Sequence, residues 1–171
     1  MILLVLDAQI WLTSKDLYCY ERFESGVKLL IETARKNNIE VIYVQHDNGV
    51  GSGFSRNDNG FEINEEFYPY ETERRYIKTV SSAFCGTGLR EYIEDINEDT
   101  IVIVGLLTNF CMDATIKFAF EMGLKVIVPQ GTNTTFFIHI WIKKARINTI
   151  MNLYGQINLQ NVLLLKKQFS E

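Results

Sequence analysis

The sequence predicts an α/β fold, a three-layer αβα sandwich around a mostly parallel, Rossmann-like sheet. Three observations carry this expectation. Four short aliphatic runs, residues 2–6, 40–44, 100–104 and 125–128, lack the strict polar alternation of half-exposed strands, so they read as strands covered on both faces. Helical stretches fall between them, and strand–helix–strand order implies right-handed crossovers and parallel pairing. The chain has 171 residues, 47% of them hydrophobic and 22% charged, which suits a single domain with a real core and excludes a disordered composition.

Taken in order, Ile2 to Leu6 forms the first strand and ends abruptly at Asp7. Glu21 to Lys36 is a helix with Val27, Leu30, Ile31 and Ala34 on one face, stopped at Asn37-Asn38. Glu40 to Val44 is the second strand. His46 to Asn64 is rich in Gly, Asn, Asp and Ser, and a loop of that length in a compact domain is functional or disordered. Arg75 to Thr79 is a short extended piece and Thr87 to Ile93 a helix. Thr100 to Val104 is a buried strand stopped by Gly105, Asn109 to Met122 a helix capped by Gly123, and Lys125 to Val128 a strand stopped by Pro129. Beyond Phe136 the pattern deteriorates, with a helix over Ile142 to Tyr154 and a strand over Asn161 to Leu165 as the expected elements.

Charge and cysteine content narrow the function classes. Lys plus Arg total 17 against 21 for Asp plus Glu, a net charge of −4 with no basic run, so nucleic-acid binding has no electrostatic footprint. The runs ILLVL and TIVIVG are far too short to span a bilayer. The N-terminus lacks a charged region ahead of its apolar run, and Asp7 interrupts that run, unlike a signal peptide. A cytoplasmic protein with no membrane partner is expected. Cys19, Cys85 and Cys111 are an odd number and read as free thiols rather than a disulfide framework.

In an open parallel sheet, ligands sit beyond the carboxyl ends of the strands. Asp7 lies there, Lys78 precedes the Ser81-Ser82-Ala83-Phe84 turn, and Cys111 follows the Thr100 strand at the opening of a helix. The helix dipole and free N–H groups at such a place favour thiolate, with the thiol expected below its usual value of about 8.5. The same N–H groups can receive an oxyanion. A carboxylate can take the thiol proton and deliver it to a leaving amine, and a lysine can hold that carboxylate. Taken singly, each residue also has a plainer reading: Cys111 as a small buried apolar group, Asp7 as a cap, Lys78 as a solvated charge. Phe54, Phe84 and Phe110 are candidate pocket walls, with core packing as the alternative. Trp11 and Tyr18 can cap the pocket or lie at a subunit contact. Thr108 and Asn109 read as helix-start caps, and Thr132 to Thr135 as a turn or a substrate contact. Cys19 and Cys85 read as bystanders.

Four blocks give the chain a family resemblance: LLVLDAQ, VIYVQHDN, IKTVSSAFCGTGLREYI and IVIVGLLTNFCMDATIKFAFEMGLKVIVPQGTNTTF. They resemble the isochorismatase-like cysteine hydrolases, which include nicotinamidases and several small amidases, and they run from Ile2 to about Phe136. The last two match K-x-x-x-S-A-F-x-G-T-x-L and G-x-x-T-x-x-C-x-x-x-T with specific spacing. The resemblance implies Asp7, Lys78 and Cys111 as the catalytic triad, with Gln9 following the Asp of the opening strand. It implies a thioester on Cys111, release of ammonia or an amine, and hydrolysis by water. It also implies a non-proline cis peptide at Leu106–Leu107, with the N–H groups of Leu107 and Cys111 as the oxyanion hole. Gln9, Trp11, His46, Phe54, Phe84 and Phe110 are the expected substrate contacts. A small-molecule substrate and a homo-oligomer are expected as partners, with no cofactor.

Two departures from the family pattern stand out. Nicotinamidases of the family hold a metal with an Asp and two His near the second strand. This chain has only His46 and His139, so no metal is expected, and His46 reads as a polar loop residue or substrate contact. The second departure is the tail, which carries no acidic residue between Phe136 and Glu171. Back-translated into AT-rich codons and read one frame over, it can give a polar, Tyr-rich helix, so a change of reading frame near Phe136 or Phe137 is expected. Three alternatives to the amidase stay open: vinyl-ether hydrolysis of the isochorismatase type with Asp7 as the acid, an inactive binding or regulatory member of the fold, and a redox-sensing thiol protein.

Overall fold

The computed structural model describes residues 1–136 and 156–157. In chain order the elements are β1 (Ile2–Leu6), α1 (Tyr20–Lys36), β2 (Glu40–His46), β3 (Arg74–Lys78), α2 (Leu89–Asp95), β4 (Thr100–Leu106), α3 (Asp113–Glu121), β5 (Lys125–Pro129), β6 (Asn133–Thr134) and β7 (Gln156–Ile157). The sheet runs β3-β2-β1-β4-β5-β7, with β6 pairing β4 off this path. All of these pairings are parallel.

The absence of alternation in β1 follows from cover on both sides. Leu3 and Val5 pack with Phe23, Val27, Leu30, Ile31 and Ala34 of α1. Ile2, Leu4 and Leu6 point the other way, toward Leu89 and Ile93 of α2 and Ile116 and Ala119 of α3. Successive side chains of a strand alternate faces, so a strand buried twice must be aliphatic throughout. The three-layer arrangement is therefore the one predicted, with the strand ends gathered at one edge. Among the described residues no helix is long and apolar enough to cross a membrane.

Several boundaries differ from expectation for identifiable reasons. Gly105 does not stop β4 but sits inside it with φ +124°, where a Cβ would lie 2.0 Å from the Leu6 carbonyl oxygen. Only glycine lets β4 pass β1 that closely. The expected single helix over residues 109–122 is instead a π-turn, Thr108–Met112, followed by the shorter α3. The Leu107 carbonyl accepts from both Phe110 N–H at 3.0 Å and Met112 N–H at 3.3 Å, and the second bond is the wider i→i+5 closure. The residues 46–64 loop is folded back on the segment after β1. Ile10 N–H donates to Glu62 O at 2.8 Å, Trp11 N–H to Gly60 O at 3.1 Å and Asn64 N–H to Ala8 O at 2.9 Å. The helix expected over Ile142 to Tyr154 and the strand over Asn161 to Leu165 lie outside the described residues.

Candidate active site

Four neighbouring strands bring four side chains to one place. β1 ends at Leu6, and Asp7 follows in a left-handed conformation, φ 52°, with its N–H on Val44 O of β2 at 2.8 Å. Parallel register sets His46, the last residue of β2, opposite Lys78, the last of β3. β4 leads into the π-turn that carries Cys111. The Ala83 N–H, just after β3, donates to Thr115 Oγ1 of α3 at 3.0 Å, which ties the lysine segment to the helix that follows the Cys111 turn.

The geometry centres on the Lys78 ammonium. Nζ lies 2.9 Å from Asp7 Oδ2, 3.0 Å from Cys111 Sγ and 3.0 Å from His46 Nδ1. Asp7 and Lys78 are almost wholly buried, at 0% and 1% exposure. The Asp7–Lys78 contact rests on charge more than on direction, because neither Asp7 oxygen has a well-aligned hydrogen-bond donor among the described residues. A buried carboxylate with open lone pairs is costly to keep charged and disposed to accept a proton. Accordingly, burial pushes the Asp7 carboxyl above its usual range, with Lys78 pulling the other way.

Cys111 departs from expectation in its electrostatics. Burial and the nearby Asp7 carboxylate push its thiol up to about 12, against the pull of Lys78. The expected depression by a helix N-terminus does not occur. The thiol sits in the π-turn ahead of α3, where loss of water is the largest effect on it. The resting group is a neutral thiol. The Leu106–Leu107 peptide is cis, as the resemblance implied.

The remaining expected contacts divide by burial. Gln9 is fully buried, and its amide is spent on the backbone: Nε2 donates to His46 O and Phe61 O, both at 3.0 Å, and Oε1 accepts from His46 N–H at 2.7 Å. It clamps the end of β2 and offers nothing to a substrate. Phe84 is 3% exposed and stacks on Phe118 within the core, so it is a packing residue and not a pocket wall. Phe54 is buried, with its ring stacked on Trp11 at 4.5 Å and 5.9 Å from the His46 ring. Trp11 and Phe110 stay open to solvent, 48% and 57% exposed. Together, His46, Phe54 and Trp11 form a continuous aromatic path leading outward from Lys78.

Sequence reasoning missed the ties behind Cys111. Thr108 Oγ1 donates to Asn133 Oδ1 at 2.8 Å, and Thr135 Oγ1 donates to Asn109 Oδ1 at 2.6 Å. Thr108 and Asn109 thus fasten the π-turn to the β6 segment instead of capping a helix. Thr134 Oγ1 donates to Tyr18 O, and Tyr18 N–H to Thr135 O at 3.0 Å. The 132–135 segment therefore serves as a strap. The only sequence signal for this was its run of short hydroxyl and amide side chains, which often bond to backbone.

A metal of the nicotinamidase type does not fit these residues. His46 Nδ1 is occupied by a lysine cation. The Asp47 carboxylate pairs with Arg56 at 3.1 Å and accepts from Gly49 N–H at 3.1 Å. Among the described residues no three His, Cys, Asp or Glu side chains form a metal-holding group.

Comparison with known proteins places this geometry in context. A family model described as the isochorismatase domain matches residues 1–136. The isochorismatase family protein YrdC of Bacillus subtilis is 31% identical over 114 residues, 66% of this chain and 61% of that protein, so the match spans less than two thirds of its length. Nicotinamidase 3 of Arabidopsis thaliana is 26% identical over 148 residues, 78% of this chain and 73% of its own. Among solved structures, a putative hydrolase of the isochorismatase family from Chromobacterium violaceum superposes with a TM-score of 0.85 at 22% identity, covering 95% of this chain and 91% of that one. At that identity the likeness is one of fold.

Proposed function

The chain belongs to the isochorismatase family, and from that premise we propose that it is a hydrolase acting on a C–N bond of a small-molecule amide through a thioester on Cys111. The observation that carries the reading is the buried contact of Lys78 Nζ with both Asp7 and Cys111, at 2.9 and 3.0 Å.

Because the thiol is held up near 12 and the Asp7 carboxyl is also raised, a free thiolate is not the starting species. The proton leaves Sγ as the sulfur attacks the carbonyl carbon, and Asp7 receives it. Lys78 stabilises the charge passing through Sγ. The N–H groups of Leu107 and Cys111 receive the oxyanion. Asp7 returns the proton to the departing nitrogen, ammonia or an amine leaves, and the acyl group remains on sulfur. Water, deprotonated by Asp7, then hydrolyses the thioester and restores the thiol. Acyl transfer of this kind uses all three groups. A vinyl-ether cleavage requires only an acid and would leave the buried Lys78–Cys111 contact idle.

The test is an ammonia-release screen over primary amides, ureas and N-carbamoyl compounds, with Cys111→Ala as control and intact mass spectrometry to trap the acyl adduct. An adduct confined to Cys111 and lost in the variant is the expected result. Full turnover by Cys111→Ala sinks the thioester scheme.

A further inference from the structure

We propose that His46 is a positioning residue for Lys78: its Nδ1 takes an N–H of the ammonium and so fixes the cation between Asp7 and Cys111. An ammonium has three donors and no acceptor. Here the Asp7 carboxylate holds it by charge at 2.9 Å, and Cys111 Sγ and His46 Nδ1 are its two hydrogen-bond partners, both at 3.0 Å. The Lys78 side chain has no solvent exposure, so no water replaces a missing partner. A lysine on a flexible stem is held in one position by directional bonds as well as by charge, and His46 supplies one of the two such bonds.

His46 is built for this role. β2–β3 register sets it directly opposite Lys78. Its backbone is gripped on both sides by the Gln9 amide, and its ring lies against Phe54. The groups facing it are Lys78 from β3, Asp7 from the end of β1, and Asp47 and Asn48 from its own segment. Burial and the Lys78 cation hold the imidazole below its usual range, so at neutral pH it is uncharged. Nδ1 is then an acceptor and the proton sits on Nε2.

The consequence for turnover rests on the proposed thioester chemistry, but the positioning itself is readable without any substrate. Site-resolved alkylation of Cys111 by iodoacetamide, followed by peptide mass spectrometry, compares wild type with His46→Phe and His46→Asn. His46→Phe keeps the ring volume and loses the acceptor, whereas the Asn Oδ1 stands close to where Nδ1 was. Cys111 alkylation is expected to fall on the order of tenfold in His46→Phe and to return to within about twofold of wild type in His46→Asn. Unchanged alkylation in a folded His46→Phe overturns the proposal, and so does an equal loss in both variants, which would mark a role in shape alone. Long-range 1H–15N spectra of the wild-type imidazoles supply a check that needs no variant at position 46. The chain has two histidines, so a His139 substitution assigns them. A protonated Nε2 and an acceptor Nδ1 at neutral pH are expected, and the opposite tautomer overturns the proposal. If alkylation follows the expected pattern while the amide screen yields nothing, the positioning stands and the amidase reading falls.

Discussion

Asp7 and Lys78 stand at the ends of parallel strands, whereas Cys111 rides on a π-turn held from behind by threonine and asparagine side chains. The two halves of the site are thus stabilised by different means. The strand-borne half is an ion pair, almost wholly buried, which the fold cannot break without stranding a charge. The turn-borne half is a half-buried thiol whose position depends on a few hydrogen bonds and on one close backbone crossing at Gly105. The difference teaches that the charged half is bound up with the stability of the fold, while the thiol half is expected to tolerate change with the fold intact.

That contrast can be broken at either end. Cys111→Ala is expected to lower amide turnover on the order of 10⁴-fold with a smaller drop in the urea unfolding midpoint than loss of the Asp7 carboxylate. A large stability loss there would erase the contrast. Asp7→Ala should abolish turnover as well, but at a cost of about 3–5 kcal/mol in unfolding free energy, because Lys78 stays buried without its carboxylate. Asp7→Ala unfolding at the wild-type midpoint would show the pair to be a bystander to stability.

A pH series sharpens the turn-borne half. Folding raises the Cys111 thiol well above its usual range, to about 12. A raised value means stability that is fully present below the unfolded value and lost as pH climbs through the folded one. Unfolding midpoints should therefore drop between pH 9 and 12 more steeply in wild type than in Cys111→Ala, and parallel curves would contradict the burial assigned to the thiol. Thr108→Val removes the donor to Asn133 and should cost about 1–3 kcal/mol, with turnover reduced through the displaced turn. The smallest effect is expected at the entrance. Trp11→Ala unstacks Phe54, worth about 0.5–1.5 kcal/mol, and should raise KM a few-fold with kcat nearly unchanged.

The same division separates what was legible in the sequence from what was not. Strands buried on both faces announce themselves as aliphatic runs, so β1 was predicted with its observed bounds, and β2, β4 and β5 ended one or two residues beyond expectation. The polar residues at their ends then followed, which is why Asp7 and Lys78 could be named. Cys111 could be named too, but not its setting. A π-turn is closed by one carbonyl taking an i→i+5 partner, and local sequence does not encode that choice. The thiol was expected to fall and instead rises, because burial depends on how four strands pack rather than on helix position. Gln9 and His46 show the same limit: their types were visible, but the grip of one on the other and the contact with Lys78 arise from register between strands. Phe84 was equally apolar whether wall or core, and only packing against Phe118 decided it.

The depth of the Asp7–Lys78 pair has a consequence for ionic strength. Its side chains are 1% and 0% exposed, against 53% and 52% for the surface pair of Glu94 with Arg90. Mobile ions screen over a Debye length of about 8 Å at physiological salt, but only where they can enter. Added salt should loosen pairs such as Arg90–Glu94 while leaving the buried cation and carboxylate untouched. The contacts among Asp7, Lys78 and Cys111 are in this sense insulated from the electrolyte around the protein.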